Sequence, residues 1–530
     1  MKRGMDMKYD AIIVGSGIAG LTAAAYLSKA GKSVLLCEKN ETPGGLVNSF
    51  ERDGYIYDGG IRALEDSGVL FTMLQQLGID IDFLPNRVSI GLEDRVIRVT
   101  SNASVEEYRD LLVQFYPHLR GEIDAIIEQV KLIMKYMDVQ YGIKNPIFLD
   151  FKKDREYMLK EVVPWMFKYA ATAPKIWKMN IPVVDFLKHY THDQSLIDII
   201  SQHFFTATPA FFALSYLKLY LDYHYPRGGT SMIVKKLINF IEAHAGVIKT
   251  GTQITSVDLG NRSITDSNGN TYTFSRLIWA ADSHALYKAI DPGRITDSAT
   301  AQAATERRRF LADKAGNDSV FTIWAGVKLN LQYFTEKCTE HFFYTPSRTG
   351  QSVAGSLPLG KDRKATERWL EAFLKYTTYE ISIPVLRDPG MAPAGKTGLI
   401  ISYLFDYRLT KQIEEQGWYD DFKSLCEKRV IEILDGSIFP GFKKSIQHIF
   451  SSSPLTMARL NGSHEGAITG WSFTNQPIPA ESRLPKIMNA VKTPLPGVYQ
   501  AGQWTYSPSG LPIAFLTGKI AADQVIKDLK

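Results

Sequence analysis

Cysteine is scarce. The chain has three, Cys37, Cys338 and Cys426, far apart and with no C-x-x-C pair. That excludes a disulfide framework and a cysteine-rich metal cluster, and it fits reduced thiols in a cytoplasmic-type compartment. Excess charge is scarce too. The 61 basic and 56 acidic residues leave +5, too mild to call for nucleic acid. No uncharged apolar run reaches the ~18 residues that a membrane-spanning helix needs. Low-complexity tracts and solenoid repeats are missing, and residues 1–10 carry basic groups but no apolar core of a secretory leader. With 45% apolar residues the composition is that of an ordinary globular chain. Its 530 residues are enough for two or three lobes.

What is present is concentrated at the start. Residues 11–20 read AIIVGSGIAG. The run Ala11-Ile12-Ile13-Val14 has the length and β-branching of a buried parallel strand. Gly15, Gly17 and Gly20 follow at the spacing G-x-G-x-x-G, and a helix-forming run covers 21–29. A second apolar strand, Val34-Leu35-Leu36-Cys37, ends on Glu38. The spacing has a mechanism. The first glycine permits a tight strand-to-helix turn, the second lets backbone approach a pyrophosphate, and the third lets the helix pack on the strand. The helix N-terminus offers unpaired N–H groups and a positive dipole end to phosphate. Glu38, about 20 residues on, is placed to accept hydrogen bonds from ribose hydroxyls. Strand, helix, second strand and acid together predict a dinucleotide site.

Further along, Thr42-Pro43-Gly44-Gly45 supplies a loop able to pass over the pyrophosphate. FERDGYIYD, residues 50–58, alternates as one strand and runs into Asp58-Gly59-Gly60, with a helix expected over 67–77. Residues 104–223 read as mostly helical, and Ser104 with Glu107 has the form of a capping box. Between 157 and 190, aromatic residues and methionines mix with Lys160, Lys168, Lys175 and Lys178, and Pro164 and Pro174 are expected to break the segment into short pieces. This segment reads either as a cap over a substrate site or as a basic, aromatic surface resting on a bilayer. Tyr225-Pro226-Arg227-Gly228-Gly229 is a turn opening an amphipathic helix over 231–243. Strands at 253–257 and 276–282 return the chain to the nucleotide unit, and strand-like runs at 320–329 and 399–405 suit a second, antiparallel sheet. The last element is a strand ending in Gly502, a loop, and a helix over 511–529. That is the second helix N-terminus a flavin needs besides its pyrophosphate site.

Four stretches carry a family resemblance: YDAIIVGSGIAGLTAAAYLSKAGKSVLLCEKNETPGG, DGYIYDGG, YPRGGTSMIVKKLINFIEAHAG and PGVYQAGQWTYSPSGLPIAFLTGKIAADQVI, with a fainter echo in LRDPGMAPAGKTGLIISY. The chain resembles the FAD-dependent carotenoid and retinoid desaturase–saturase family. This is the phytoene desaturase, carotene isomerase and retinol saturase group of the amine-oxidase-like flavoproteins. The resemblance implies an α/β fold. A Rossmann-type (GR2-like) FAD-binding domain would come from residues 1–90, 225–290 and 450–530. A mixed-sheet substrate domain would come from 291–449 with parts of 85–105, and a membrane-contacting helical cap from 104–224. FAD would be bound non-covalently. Gly15, Ser16, Gly17, Ile18, Ala19 and Gly20 would hold the pyrophosphate, Glu38 the ribose with Lys39 beside it, and Ile254 the adenine. Gly44, Gly45 and Leu46 would lie along the ribityl chain, as would Gly502 and Gln503, with Leu511, Pro512 and Ile513 at the pyrimidine edge of the ring. Three positions depart from the family pattern. Leu46 stands where many relatives have arginine, Arg62-Ala63 where retinol saturase-like chains have a histidine–tyrosine pair, and Gln503 where many have an acid.

A flavin exchanges hydride with carbon, so the protein must add orientation and a proton donor or acceptor. The candidates are Arg62, Glu65, Gln503 and Tyr506, with His464 and Glu465 in a polar turn and Trp504 as an aromatic wall. No metal-ligand cluster stands out, and the C-terminal loop has no cysteine to bond a flavin covalently. The expected function is FAD-dependent desaturation or saturation of a carbon–carbon bond in a long apolar, isoprenoid or polyene lipid. The alternatives are redox-neutral polyene cis–trans isomerisation with reduced FAD, oxidation of a soluble amine, and a non-catalytic flavoprotein. No second G-x-G-x-x-G is present, so NAD(P)H would have to use the substrate channel, or electrons would pass to oxygen or a quinone. The expected partner is an apolar small molecule, not nucleic acid. The expected location is cytoplasmic, with peripheral contact at the membrane face, and no oligomeric state is implied.

Overall fold

A computed structural model of the chain describes residues 8–150 and 152–530. Most of the opening basic stretch, residues 1–7, lies outside them. β1 (Lys8–Val14), α1 (Ile18–Lys29) and β2 (Val34–Cys37) form the expected first unit. β1 pairs in parallel with β2 on one side and with Thr271–Trp279 on the other. Val247–Lys249 and Val498–Gln500 add further parallel strands, and Ser263–Asp266 and Ile254–Asp258 an antiparallel edge. Val14 stands opposite both Cys37 and Trp279, and Trp279 opposite Gln500, so the carboxyl ends of these strands are level. The crevice beyond such strand ends is where an open α/β sheet takes its ligands. Ile12, Ile13, Leu35, Leu36, Leu277 and Ile278 are buried on one face or the other, which is why these strands read as unbroken apolar runs.

A second sheet of seven strands is mixed. Its order is Ile446–Ser452, Ser319–Val327, Thr397–Phe405, Tyr379–Ser382, His341–Thr345, Val88–Leu92 and Arg95–Val99. Only His341–Thr345 and Val88–Leu92 run parallel to each other. Side chains alternate between its faces. Phe321, Ile323, Ile381, Ile401 and Tyr403 bury against helices Arg363–Tyr376, Tyr407–Glu415 and Tyr419–Asp435. The intervening Thr322, Glu380 and Phe343 line a cavity on the other face. Helices Ser104–Phe115, Arg120–Tyr141 and Gln194–Ser201 form a cap around Leu112, Ile123, Ile127 and Leu196.

Four local expectations give way. FERDGYIYD is not one strand but a hairpin, Ser49–Arg52 with Tyr55–Asp58. It turns at Asp53-Gly54, where φ is +53° and +80°, as the D-G hairpin signal requires. Ser104 opens its helix without a capping box, because its hydroxyl accepts from the N–H groups of Thr100 and Ser101 instead. Pro164 and Pro174 do not break their segment, and Val163–Lys178 is one helix. Pro164 sits in the first turn, where no N–H is needed, and only Pro174 is interior. Helix Ser298–Leu311, expected in the substrate lobe, buries Ala304 and Leu311 in the cluster of Trp279 and Leu286 beside the first sheet. All three cysteines are buried, and burial lifts each thiol to about 12. No helix among the described residues is long and apolar enough to cross a membrane.

Candidate functional site

One cavity of about 580 Å³ runs from the end of β1 to the face of the second sheet. At the β1 end its walls are backbone. Gly15 turns the chain with φ +99°. α1 begins with Gly17 as N-cap and no side-chain cap, which leaves first-turn N–H groups for a ligand. A Cβ on Gly20 would stand 1.9 Å from the Gly15 carbonyl oxygen, whereas one on Gly17 would meet nothing within 4 Å. Gly20 is therefore a packing position and Gly17 an open one that faces the cavity. The Gly44 N–H donates to the Ser16 carbonyl (3.0 Å), which folds the Gly44-Gly45 loop across Gly17.

Glu38 is buried and held by protein donors. Its Oε2 accepts from the N–H (2.9 Å) and hydroxyl (2.7 Å) of Ser16, and Oε1 from the N–H of Asn40 (2.9 Å). Oε2 is then filled, and Oε1 keeps one acceptor position. Ile18, Ala19, Lys39, Leu46 and Ile254 also line the cavity, while Ser16 and Gly20 act from behind its wall. Gly502 and Gln503 line it as well, although the Gly502 N–H is taken by the Thr517 hydroxyl (2.9 Å). In the first turn of helix Leu511–Asp528, Leu511 and Ala514 face the cavity and Pro512 and Ile513 do not. Backbone N–H groups at a helix start, with one carboxylate at the next strand end, are a donor set that fits the phosphates and ribose of a dinucleotide.

At the other end the walls are side chains. Asp58 ties the turn after the hairpin to the middle of the chain, accepting from the Thr230 N–H (3.0 Å), the Thr230 hydroxyl (2.9 Å) and the Tyr225 hydroxyl (2.7 Å). Asp388 ties in the third motif by accepting from the Gly228 N–H (2.9 Å). Arg387 and Asn86 both donate to the Arg62 carbonyl, at 3.2 and 3.1 Å. So anchored, the Arg62 guanidinium donates to the Ser402 hydroxyl and lies 3.4 Å from Oε1 of Glu380, itself 3.2 Å from Nε2 of His341. Arg62 is 5% exposed and Glu380 36%, the latter toward the cavity.

The charges follow from these neighbours. Burial pushes the Glu380 carboxyl up, but Arg62 beside it, then His341, outweigh burial and hold it at about 2. Burial pushes His203 down to about 4 and lowers His341 as well, so both rings are neutral near pH 7. Burial, reinforced by the nearby charge of Asp222, lifts Glu65 to about 7. Phe204, Phe212, Tyr216, Tyr220, Tyr223 and Phe343 complete an aromatic chamber.

Of the residues expected at the chemistry, Arg62, Glu65, Gln503 and Trp504 reach this cavity. Tyr506 does not: its hydroxyl donates to the Ser482 carbonyl (3.1 Å) and its ring packs in the core under the first sheet. His464 stacks on His284 at 4.0 Å, and Glu465 accepts from the Gly316 N–H (3.0 Å), which makes theirs a structural turn. Glu380, His341, His203 and Thr322 had no motif to mark them, and Arg387 lies in the fainter echo LRDPGMAPAGKTGLIISY without having been singled out. The one signal was an acid in the otherwise uncharged strand Tyr379–Ser382. Among the described residues no group of His, Cys, Asp and Glu is placed to hold a metal ion.

Comparison with known proteins agrees with this architecture. Prolycopene isomerase 1, chloroplastic, of an Oncidium hybrid cultivar is 24% identical over 98% of this chain and 84% of its own length. All-trans-retinol 13,14-reductase of Danio rerio is 23% identical over 93% of this chain and 82% of its own. The crystal structure of an oxidoreductase from Methanosarcina mazei superposes with a TM-score of 0.60 at 14% identity, covering 98% of this chain and 100% of that one, and so shares the fold. The family model described as flavin containing amine oxidoreductase matches residues 18–526, and this chain belongs to that family.

Proposed function

We propose that the chain binds FAD non-covalently at the backbone-walled end of the cavity and acts as an oxidoreductase on a carbon–carbon bond of a long apolar polyene or isoprenoid lipid at the aromatic end. The observation that carries this reading is the continuity of one cavity between the two ends. The relatives named for prolycopene isomerisation and for retinol 13,14-reduction support an unsaturated, apolar substrate. They also support a second reading, redox-neutral cis–trans isomerisation.

When bound, the flavin supplies hydride exchange. The first turn of α1 and the Gly44-Gly45 loop would hold the pyrophosphate, and Oε1 of Glu38 would accept from the ribose. The N-terminus of helix Leu511–Asp528 would turn its positive end toward the ring, where it can stabilise negative charge on the reduced flavin. Glu65, half protonated near neutrality, holds or gives the proton at its carboxyl oxygen. Glu380 and Arg62 form a fixed dipole at the chamber wall, with the negative end the more exposed. That dipole would favour positive charge on a bound polyene. The aromatic wall excludes water.

Delivery of the lipid falls to helix Val163–Lys178. Phe167 is 74% exposed, with Met166, Trp177 and Leu159 also exposed, among the exposed Lys160, Lys168, Lys175 and Lys178. Large apolar side chains set among lysines fit the surface of an anionic bilayer. The test is turnover of the FAD-loaded protein with polyenes and, separately, with soluble amines, followed by product mass. A polyene product changed by one pair of hydrogens is the expected result. Unchanged mass with altered geometry selects isomerisation, and peroxide released with amines alone overturns both readings.

A further inference from the structure

The second sheet carries a row of residues across its strands. Thr322 pairs with Ser402, Ser402 with Glu380, Glu380 with Phe343, and Phe343 with Ile90. Directly opposed residues share one face of a sheet, so the five stand side by side. On Tyr379–Ser382, His341–Thr345 and Val88–Leu92 every residue is fully buried except one, and that one is the member of the row: Glu380, Phe343 and Ile90. Their access is to interior space. Glu380 and Phe343 line the main cavity, and Phe343 and Ile90 line a second cavity of about 60 Å³ beneath the cap. The two cavities share His203, Phe204, Tyr216, Tyr220 and Phe343 in their walls. No acid, lysine or arginine lines the second one, whose far wall includes Leu111, Leu112, Ile126 and Val130. The floor thus passes from hydroxyls beside Arg62, through one carboxylate, to an aromatic ring and then to aliphatic carbon.

We propose that this row is the floor of a lipid trough that crosses the strands, and that the cavity under the cap is its blind end. Ile90 and Phe343 then set the length of chain the protein holds. The inference rests on the lipid reading above and names its size. Four strand spacings of about 4.8 Å make the floor about 19 Å long, the reach of roughly fifteen C–C bonds in extended zigzag, or about four isoprene units. A charged end has no counter-charge in the blind end, so the hydrocarbon end enters it and the reacting bonds lie nearer Glu380.

The test titrates the FAD-loaded protein with polyprenyl alcohols, each one isoprene unit longer than the last, and reads binding from the visible flavin spectrum. Affinity is expected to rise steeply, by on the order of 10²–10³-fold per added unit, and to level off at about four units. Ile90→Trp fills the blind end and moves the levelling-off one unit shorter while the shortest members bind as before. Leu112→Phe fills it from the cap side with less bulk and moves it the same way, which keeps the test open where the tryptophan variant does not fold. A levelling-off point that stays put in flavin-loaded variants overturns the trough, as does binding indifferent to chain length, and both leave the lipid reading standing. Failure of every polyprenyl alcohol to bind overturns the lipid reading and the trough with it.

Discussion

The two ends of the cavity are made of different materials. The nucleotide end is backbone: a glycine turn, the uncapped start of α1, and one carboxylate fixed by Ser16. Its turn, helix start and acid lie between residues 8 and 45, where a Cβ on Gly20 would meet other backbone, and Ile254, Gly502 and Leu511 close it from far along the chain. The chamber end is side chains from elements hundreds of residues apart, Arg62, Thr322, His341, Glu380 and Ser402 among them. Such an assembly tolerates change in shape and loses function by losing charge. The difference teaches that the phosphate cradle at one end is a property of one local unit, whereas the chamber at the other is a property of the tertiary fold.

Substitutions can break that comparison at graded cost. Gly20→Val is the most severe. Its Cβ would lie 1.9 Å from the Gly15 carbonyl, so the strand–helix contact must open. We expect purified protein without flavin absorbance and a stability loss of roughly 3 kcal/mol by thermal unfolding. Gly17→Ala, whose methyl enters open space, should fold normally and lose flavin affinity alone. Equal unfolding by both variants would contradict the division of roles. Arg62→Met should keep its flavin and lose about 10³-fold in turnover, because Glu380 is then a buried carboxylate without its partner. Chemical denaturation should show a loss of roughly 2 kcal/mol, below the full buried-pair penalty since Glu380 faces the cavity.

Glu65→Gln should cost about 10²-fold in kcat and sharpen the account further. With its carboxyl raised to about 7, Glu65 is an acid below that pH and a base above it. A kcat that falls as pH rises through about 7 marks a proton donor and therefore saturation, and one that rises marks desaturation. The limb disappears in the glutamine variant, and a profile indifferent to the substitution removes Glu65 from the proton path. The smallest effect is on the surface. Phe167→Glu combined with Trp177→Glu should weaken sedimentation with anionic phospholipid vesicles by about tenfold and leave flavin content unchanged.

Legibility followed the same division. Gly15, Gly17, Gly20 and Glu38 could be read because a strand–turn–helix declares itself in consecutive residues, and the register of β1 with β2 brings the acid beside Ser16, a contact the sequence did not predict. Arg62 was legible through its place after Asp58-Gly59-Gly60, a turn that Thr230 and Tyr225 lock. Tyr506 misled because proximity in sequence to Gly502 says nothing of where a side chain turns after the next loop. Glu380 and His341 were invisible. Each sits in a short strand, and only the pairing of Tyr379–Ser382 with Thr397–Phe405 and His341–Thr345 brings them to Arg62. The second-sheet row from Thr322 to Ile90 is likewise a fact of register between strands, which no periodicity within a strand contains.

The most direct test of the central claim is mass spectrometry of the small molecules extracted from the purified protein. One cavity with a backbone end for a dinucleotide and a greasy end for a chain predicts FAD together with an apolar, unsaturated lipid. Protein that yields no flavin, or flavin accompanied by a water-soluble amine, would contradict it.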